Sequence, residues 1–160
     1  MNYIFLGLAV SDFFLILLTA LTGYLNRIGN LPEHYHILAG LFTTLFTCLV
    51  HCIVFIYFLG TGKSIKTACD EYRLEGDFVR ATKKLKARAF PFALFGSLSI
   101  MGVALTGGAT ATGLISNPVH RLTVFSVMAW NALCFLFEYR AIYDNMLLIG
   151  RLAQLLPDDA

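Results

Sequence analysis

The chain has 160 residues, of which 58% are hydrophobic and only 14% are charged, and its formal net charge is +2. Ordinary soluble domains carry about 25% charged residues, so this composition argues against a soluble globular protein and indicates a membrane protein. The basic residues are explained by membrane topology and the sequence has no short hydrolase motif, which argues against nucleic-acid binding and hydrolysis.

Four apolar runs are long enough to cross a bilayer, which takes about 20 helical residues. The first has no basic residue before it and is longer than the apolar region of a signal peptide, so we interpret it as a membrane helix. The third is diluted by glycines, which membrane helices tolerate. We identify no internal repeat. The sequence therefore predicts an all-α integral membrane protein, a single bundle of four transmembrane helices at about 3–25, 37–60, 90–112 and 120–146.

Most of the basic residues lie in one segment, between the second and third apolar runs. Eight of the twelve Lys and Arg residues fall there, at positions 63, 66, 73, 80, 83, 84, 86 and 88. By the positive-inside rule this segment is cytoplasmic. Both termini, including the short tail to residue 160, are then cytoplasmic and the two short loops face outward. We expect the membrane to be a bacterial inner membrane.

Residues 61–89 have helical patterns on either side of a break at Glu75 and Gly76, and Asp77 is the expected N-cap of the second pattern. They predict a helical cytoplasmic hairpin between helices 2 and 3. One interpretation of this hairpin is a solvated connector that attracts anionic lipid headgroups. The other is a docking surface for a cytoplasmic partner.

The stretch Gly-Thr-Gly-Lys-Ser at 60–64 is similar to the end of a phosphate-binding loop. That motif requires a further glycine at position 57, where this chain has Tyr57. The stretch also follows an apolar helix and not a buried strand. We therefore expect no nucleotide binding, and interpret the stretch as the place where helix 2 leaves the bilayer.

Two ionisable residues lie well inside the apolar runs, where a charge costs about 2.5–3.5 kcal/mol on insertion scales. Asp12 is in the first run and His51 is in the second. Helices joined by a short loop are antiparallel neighbours, so the two side chains could meet. We predict an Asp12–His51 hydrogen bond. The alternative is that each residue bonds a separate backbone or hydroxyl partner, with Ser11, Thr19 and Thr47 available.

Two further histidines stand at the outer mouths of helices 2 and 4. His36 and His120 are expected at equal depth, which suits one b-type haem held between two axial imidazoles. With His51 farther along helix 2, the arrangement resembles the two stacked haems of membrane b-type cytochromes. Helix 4 departs from it, because Phe135 stands where a second histidine would be. Met101 is then the remaining candidate ligand for a haem at His51.

The same region also suggests a different metal site. Glu33 and His34 precede helix 2, and together with His36 and His120 they could surround zinc or copper, since imidazole suits both ions. In the simplest interpretation, these histidines only bridge bilayer and water.

From these residues we expect a small integral membrane subunit or anchor of a larger membrane complex, which transfers electrons through a b-type haem and is not an enzyme by itself. Its partners would be the lipid bilayer, other membrane subunits and a cytoplasmic partner at 61–89, without nucleic acid or nucleotide. The alternative is a cofactor-free membrane interaction or assembly protein whose docking surface is the hairpin.

Overall fold

The computed structural model describes residues 1–74 and 76–157. They form four helices: α1 (Asn2–Arg27), α2 (Glu33–Glu71), α3 (Asp77–Ala111) and α4 (Asn117–Ala153). Each of the four is long and apolar enough to cross a membrane. The prediction of an all-helical chain with four long apolar helices is confirmed.

Helices α2 and α3 both continue beyond the apolar runs, so the hairpin helices are extensions of the apolar ones. Pro91 lies inside α3 without ending it. The residue that precedes α3 is Gly76, whereas Asp77, the expected N-cap, is the first helical residue and accepts a hydrogen bond from Arg80. A carboxylate in the first turn still favours the helix, because it faces the positive end of the helix dipole. The predicted break at Glu75 lies outside the described residues.

The helices pack in a closed ring, α1 on α2, α2 on α3, α3 on α4 and α4 on α1, and α2 also meets α4 across the middle. The α1–α2 and α3–α4 loops lie at one end, which we call the loop end. The opposite end holds Met1 and the α2–α3 connection, and we call it the terminal end.

The two helical hairpins, α1–α2 and α3–α4, are repeats of each other, so the expectation of no internal repeat is wrong. Corresponding residues are 84 positions apart: Ala-Leu-Thr-Gly occurs at 20–23 and again at 104–107, and His36 corresponds to His120. Both first helices end at a glycine with positive φ, 78° at Gly29 and 76° at Gly113, a conformation that glycine adopts without a steric cost.

Burial follows the same repeat. The buried positions 5, 9, 12 and 16 of α1 correspond to the buried positions 89, 93, 96 and 100 of α3. The same offset of 84 relates buried positions of α2 to buried positions of α4. They are 47, 50, 51, 54 and 58 in α2 and 131, 134, 135, 138 and 142 in α4. The two hairpins therefore turn corresponding faces of their helices toward the core.

The core is not distributed evenly along the helices. Buried side chains such as Phe5, Val54, Phe58 and Ile142 fill the middle and the terminal end. By contrast, no residue in 17–42 or 101–130, all of which the structure describes, is buried. Side-chain burial is therefore greater toward the terminal end than at the loop end.

Candidate functional site

His36 is oriented by Thr22 on the neighbouring helix. The Thr22 hydroxyl donates to the carbonyl oxygen of Thr19 at 2.8 Å and lies 3.2 Å from Nδ1 of His36. A hydroxyl carries one hydrogen, so the bond to the imidazole must run from Nδ1–H to the Thr22 oxygen. In a neutral ring this hydrogen bond favours the tautomer with its hydrogen on Nδ1, which leaves the lone pair of Nε2 free.

His120 has the same arrangement in the second hairpin. Thr106 donates to the carbonyl oxygen of Val103 at 2.9 Å and accepts a hydrogen bond from Nδ1 of His120 at 3.1 Å. Metal-binding histidines usually have one ring nitrogen held in this way, which fixes the tautomer and aims the other nitrogen. The two hairpins therefore present two imidazoles in the same chemical state.

A glycine lies behind each of these rings. A Cβ on Gly23 would lie 2.8 Å from Cε1 of His36, and a Cβ on Gly107 would lie 3.3 Å from Cε1 of His120. The glycines thus let the imidazoles lie directly against the backbones of α1 and α3. His36 is also near enough to His120 for their charges to interact. The loop end therefore holds a matched pair of histidines.

Glu33 and His34 do not join this pair. Both are exposed, and the His34 ring packs on Tyr35 with 4.2 Å between ring centroids. Across residues 1–74 and 76–157, no three His, Cys, Asp or Glu side chains are close enough together to hold a metal ion. The zinc or copper alternative therefore has no assembled ligand set in the described part of the chain.

His51 lies in the packed core, where both of its ring nitrogens are hydrogen-bonded. Nδ1 is 2.8 Å from Oε1 of Glu138, and Nε2 is 3.0 Å from Oδ1 of Asn131. The Asn131 amide nitrogen donates to the carbonyl oxygen of Val127 at 3.0 Å, which identifies its other atom as an acceptor oxygen. Nε2 of His51 therefore carries a hydrogen, and the ring has no free nitrogen for a ligand.

One proton is shared between His51 and Glu138. With the proton on Nδ1 the two side chains form an ion pair, and with the proton on the carboxyl group both are neutral. The net charge of the pair is zero in either case. A buried ionisable group in an apolar core is tolerated when its partner compensates it in this way.

Asp12 is fully buried, but the predicted Asp12–His51 hydrogen bond is not formed. Oδ1 of Asp12 is 2.8 Å from the Thr47 hydroxyl, and Oδ2 has no hydrogen-bond partner among the described residues. The alternative, a separate hydroxyl partner, is the observed one. The physical reason is that α4 supplies acceptors for both ring nitrogens of His51, which leaves no N–H for Asp12.

Met101 and His51 are not brought together as a second axial pair. Met101 is 48% exposed on the surface of α3, whereas His51 is fully buried. The His51 ring stacks on Phe135 with 4.9 Å between centroids. Phe135 is the residue 84 positions after His51, so the second hairpin places an aromatic stacking partner where the first has a histidine.

Three fully buried polar residues of α4 were not predicted from the sequence: Asn131, Glu138 and Asn145. Their spacing of seven residues puts them on one face of the helix. Asn145 accepts a hydrogen bond from α3 and donates two to α2. The sequence does contain a signal for them, because polar residues inside an apolar run are the same feature that identified Asp12.

Comparisons with protein-family models, with curated proteins and with solved structures found no match for this chain.

Proposed function

We propose that this protein is a small integral membrane subunit that transfers electrons through a b-type haem bound at its loop end by His36 and His120. The observation that carries the proposal is the matched state of the two imidazoles. Each bonds a threonine on the other helix of its own hairpin through Nδ1 and has a free Nε2. Two neutral imidazoles on different helices are what a bis-histidine haem iron requires.

The loop end is the less densely packed part of the bundle. Residues 17–42 and 101–130, all of them described, include no buried side chain. The side-chain hydrogen bonds between α2 and α4 lie farther from the loops, from His51 to Tyr57 and Thr61 on α2. The two imidazoles and the looser packing around them support a haem held between the hairpins.

The chain's own residues would hold and tune the ligand. Thr22 and Thr106 orient the two rings and, by accepting from Nδ1, make each Nε2 a stronger donor to iron. The His51–Glu138 hydrogen bond joins α2 to α4 on the terminal side of the loop end. It so fixes the separation of the two helices that carry His36 and His120. When bound, a haem would supply one-electron chemistry at a potential set by its axial ligands and surroundings.

The placement in the membrane is part of the same proposal. The four helices cross the bilayer, and the basic segment 61–89 faces the cytoplasm together with both termini. The loop end, with His36 and His120, then faces outward. Other membrane subunits, in a bacterial inner membrane, would exchange electrons with the protein there.

Single-histidine variants test the assignment of the ligands. His36→Ala and His120→Ala each remove one axial bond, so each should abolish or shift the reduced-minus-oxidised spectrum while the chain still inserts. His34→Ala is the matched control, because His34 is exposed and packs on Tyr35. A wild-type spectrum in His36→Ala or His120→Ala, or its loss in the control alone, would contradict the assignment.

A second candidate is a cofactor-free membrane interaction or assembly protein with residues 61–89 as its docking surface. It is supported by the core, where His51, Asn131 and Asn145 join neighbouring helices through side-chain hydrogen bonds. It predicts no haem bands in the wild-type protein, so the same spectra distinguish the two functions.

A further inference from the structure

A surface depression of about 170 Å³ lies between α2 and α3, where the two helices leave their apolar runs. Four lysines line it, two from each helix with a spacing of three residues: Lys63, Lys66, Lys83 and Lys86. This spacing puts both lysines of a helix on one face. Half of the basic residues of the segment are therefore concentrated around one small space.

The protein does not neutralise these charges in its described part. The ion pairs formed by residues 1–74 and 76–157 involve none of the four lysines. The residues that line the depression include no Asp or Glu. Ammonium groups held this close repel one another, and an anion bound between them would relieve the repulsion.

The wall of the depression on the side of the apolar runs is hydrophobic. Phe58 and Leu59 line it, and the Lys86 ammonium group lies 4.9 Å from the centroid of the Phe90 ring. The site thus combines cationic groups with an adjoining apolar surface. A phospholipid has the same division, with its phosphate next to the glycerol and the first methylene groups of its acyl chains.

We propose that this depression binds the headgroup phosphate of an anionic phospholipid of the phosphatidylglycerol or cardiolipin type. Basic pockets between membrane helices on the cytoplasmic side suit such headgroups. A zwitterionic lipid carries its own cation, which the lysines repel, and a soluble anion would leave the apolar wall without a contact. The proposal rests on the chain crossing a membrane, and it does not depend on the haem.

Native mass spectrometry of the detergent-solubilised protein tests this site. With phosphatidylglycerol and phosphatidylcholine of identical acyl chains added in turn, we expect a one-to-one adduct with the anionic lipid and little with the zwitterionic one. A lysine near an anionic surface changes affinity about fivefold. Lys63→Gln combined with Lys83→Gln should therefore weaken phosphatidylglycerol binding about 25-fold.

Two further double variants keep the test specific. Lys84→Gln with Arg73→Gln removes the same charge from exposed positions that do not line the depression, and it should bind as wild type. Lys63→Arg with Lys83→Arg keeps the charge and should also bind, which separates loss of charge from loss of fold.

Three outcomes would overturn the proposal. The first is equal binding of the two lipids. The second is an equal loss in the Lys84→Gln, Arg73→Gln control, or loss of binding in the arginine variant, because either would remove the link to charge at the depression. The third is an adduct with inorganic phosphate that forms as readily as the one with phosphatidylglycerol, because the ligand would then be a soluble anion.

Discussion

Hydrogen bonds separate three of the four histidines of this protein into two kinds. His51 uses both ring nitrogens in bonds to α4, whereas His36 and His120 use only Nδ1. An axial ligand needs a free ring nitrogen, so His51 stabilises the core while the other two are available for chemistry. Depth in the membrane, which can be inferred from the sequence, could not separate these roles.

The buried His51–Glu138 pair should show strong energetic coupling. His51→Leu or Glu138→Leu alone leaves an ionisable group without its partner, which costs about 3–5 kcal/mol in a buried pair. The double variant removes both groups, so its loss of unfolding free energy should fall short of the sum by about 0.5–3 kcal/mol. Unfolding in mixed detergent micelles measures these values.

The control for this cycle is His51→Leu combined with Met101→Leu. Met101 lies on the surface of α3 and His51 in the core, so these two losses should add. Additive losses for His51 and Glu138 would show that the two side chains do not interact.

Gly96 is required by the position of the His51 ring. A Cβ at Gly96 would overlap Nε2 of His51 and push the ring away from Asn131. Overpacking and a lost buried hydrogen bond each cost about 1–3 kcal/mol, so Gly96→Ala should lower the thermal unfolding temperature clearly. At Gly102, on the same helix, a Cβ meets nothing within 4 Å, and Gly102→Ala should be neutral or stabilising. Equal effects at the two glycines would contradict this packing.

At the scale of elements, the chain consists of two hairpins with the same design. Each ends its first helix at a glycine turn and then places a histidine against the threonine and glycine of that helix, as Thr22, Gly23 and His36 do in the first hairpin. His36 and His120 therefore hold corresponding positions in the two hairpins. The hairpins differ in the core, where Phe135 replaces His51.

The threonines should matter for the haem and little for the fold. Thr22→Val or Thr106→Val removes the acceptor that fixes the histidine tautomer, and loss of such a partner weakens metal binding about 10–100-fold. Haem titration of the apoprotein, followed by absorbance, measures this change. Thr110→Val is the control, since the Thr110 hydroxyl bonds only a backbone carbonyl. Wild-type affinity in Thr22→Val would show that the threonine does not position a ligand.

The helices could be predicted from the sequence because about 20 apolar residues have few alternatives to a membrane helix. The partners of the buried polar residues could not, because rotation of each helix about its axis decides them. Asp12 and His51 were found from their depth alone, and the structure then pairs them with Thr47 and Glu138. The repeated Ala-Leu-Thr-Gly was visible in the sequence and would have marked His36 and His120 as equivalent residues.

At the scale of the whole molecule, side-chain burial differs along the bundle: it is high toward the terminal end and low at the loop end. The charge follows the same division, because most Lys and Arg residues lie near the terminal end, in the segment between the apolar runs of α2 and α3. In the proposed orientation, the basic end is cytoplasmic and the loop end with its histidines faces outward.

Cysteine labelling in intact cells tests this orientation. In a chain whose four native cysteines are replaced by alanine, Gly76→Cys should be shielded from an impermeant thiol reagent and Asn117→Cys should react. Both should react after the membrane is permeabilised. The opposite pattern in intact cells would place the histidine pair on the cytoplasmic side.

The absorption spectrum of wild-type protein purified from its native membrane, dithionite-reduced minus oxidised, tests the proposed haem most directly. A haem held by His36 and His120 predicts a Soret band and the sharp visible bands of a low-spin b-type haem, with one haem per chain by pyridine haemochrome assay. A purified, folded protein with no Soret band would contradict the electron-transfer function and leave the cofactor-free interaction protein as the remaining candidate.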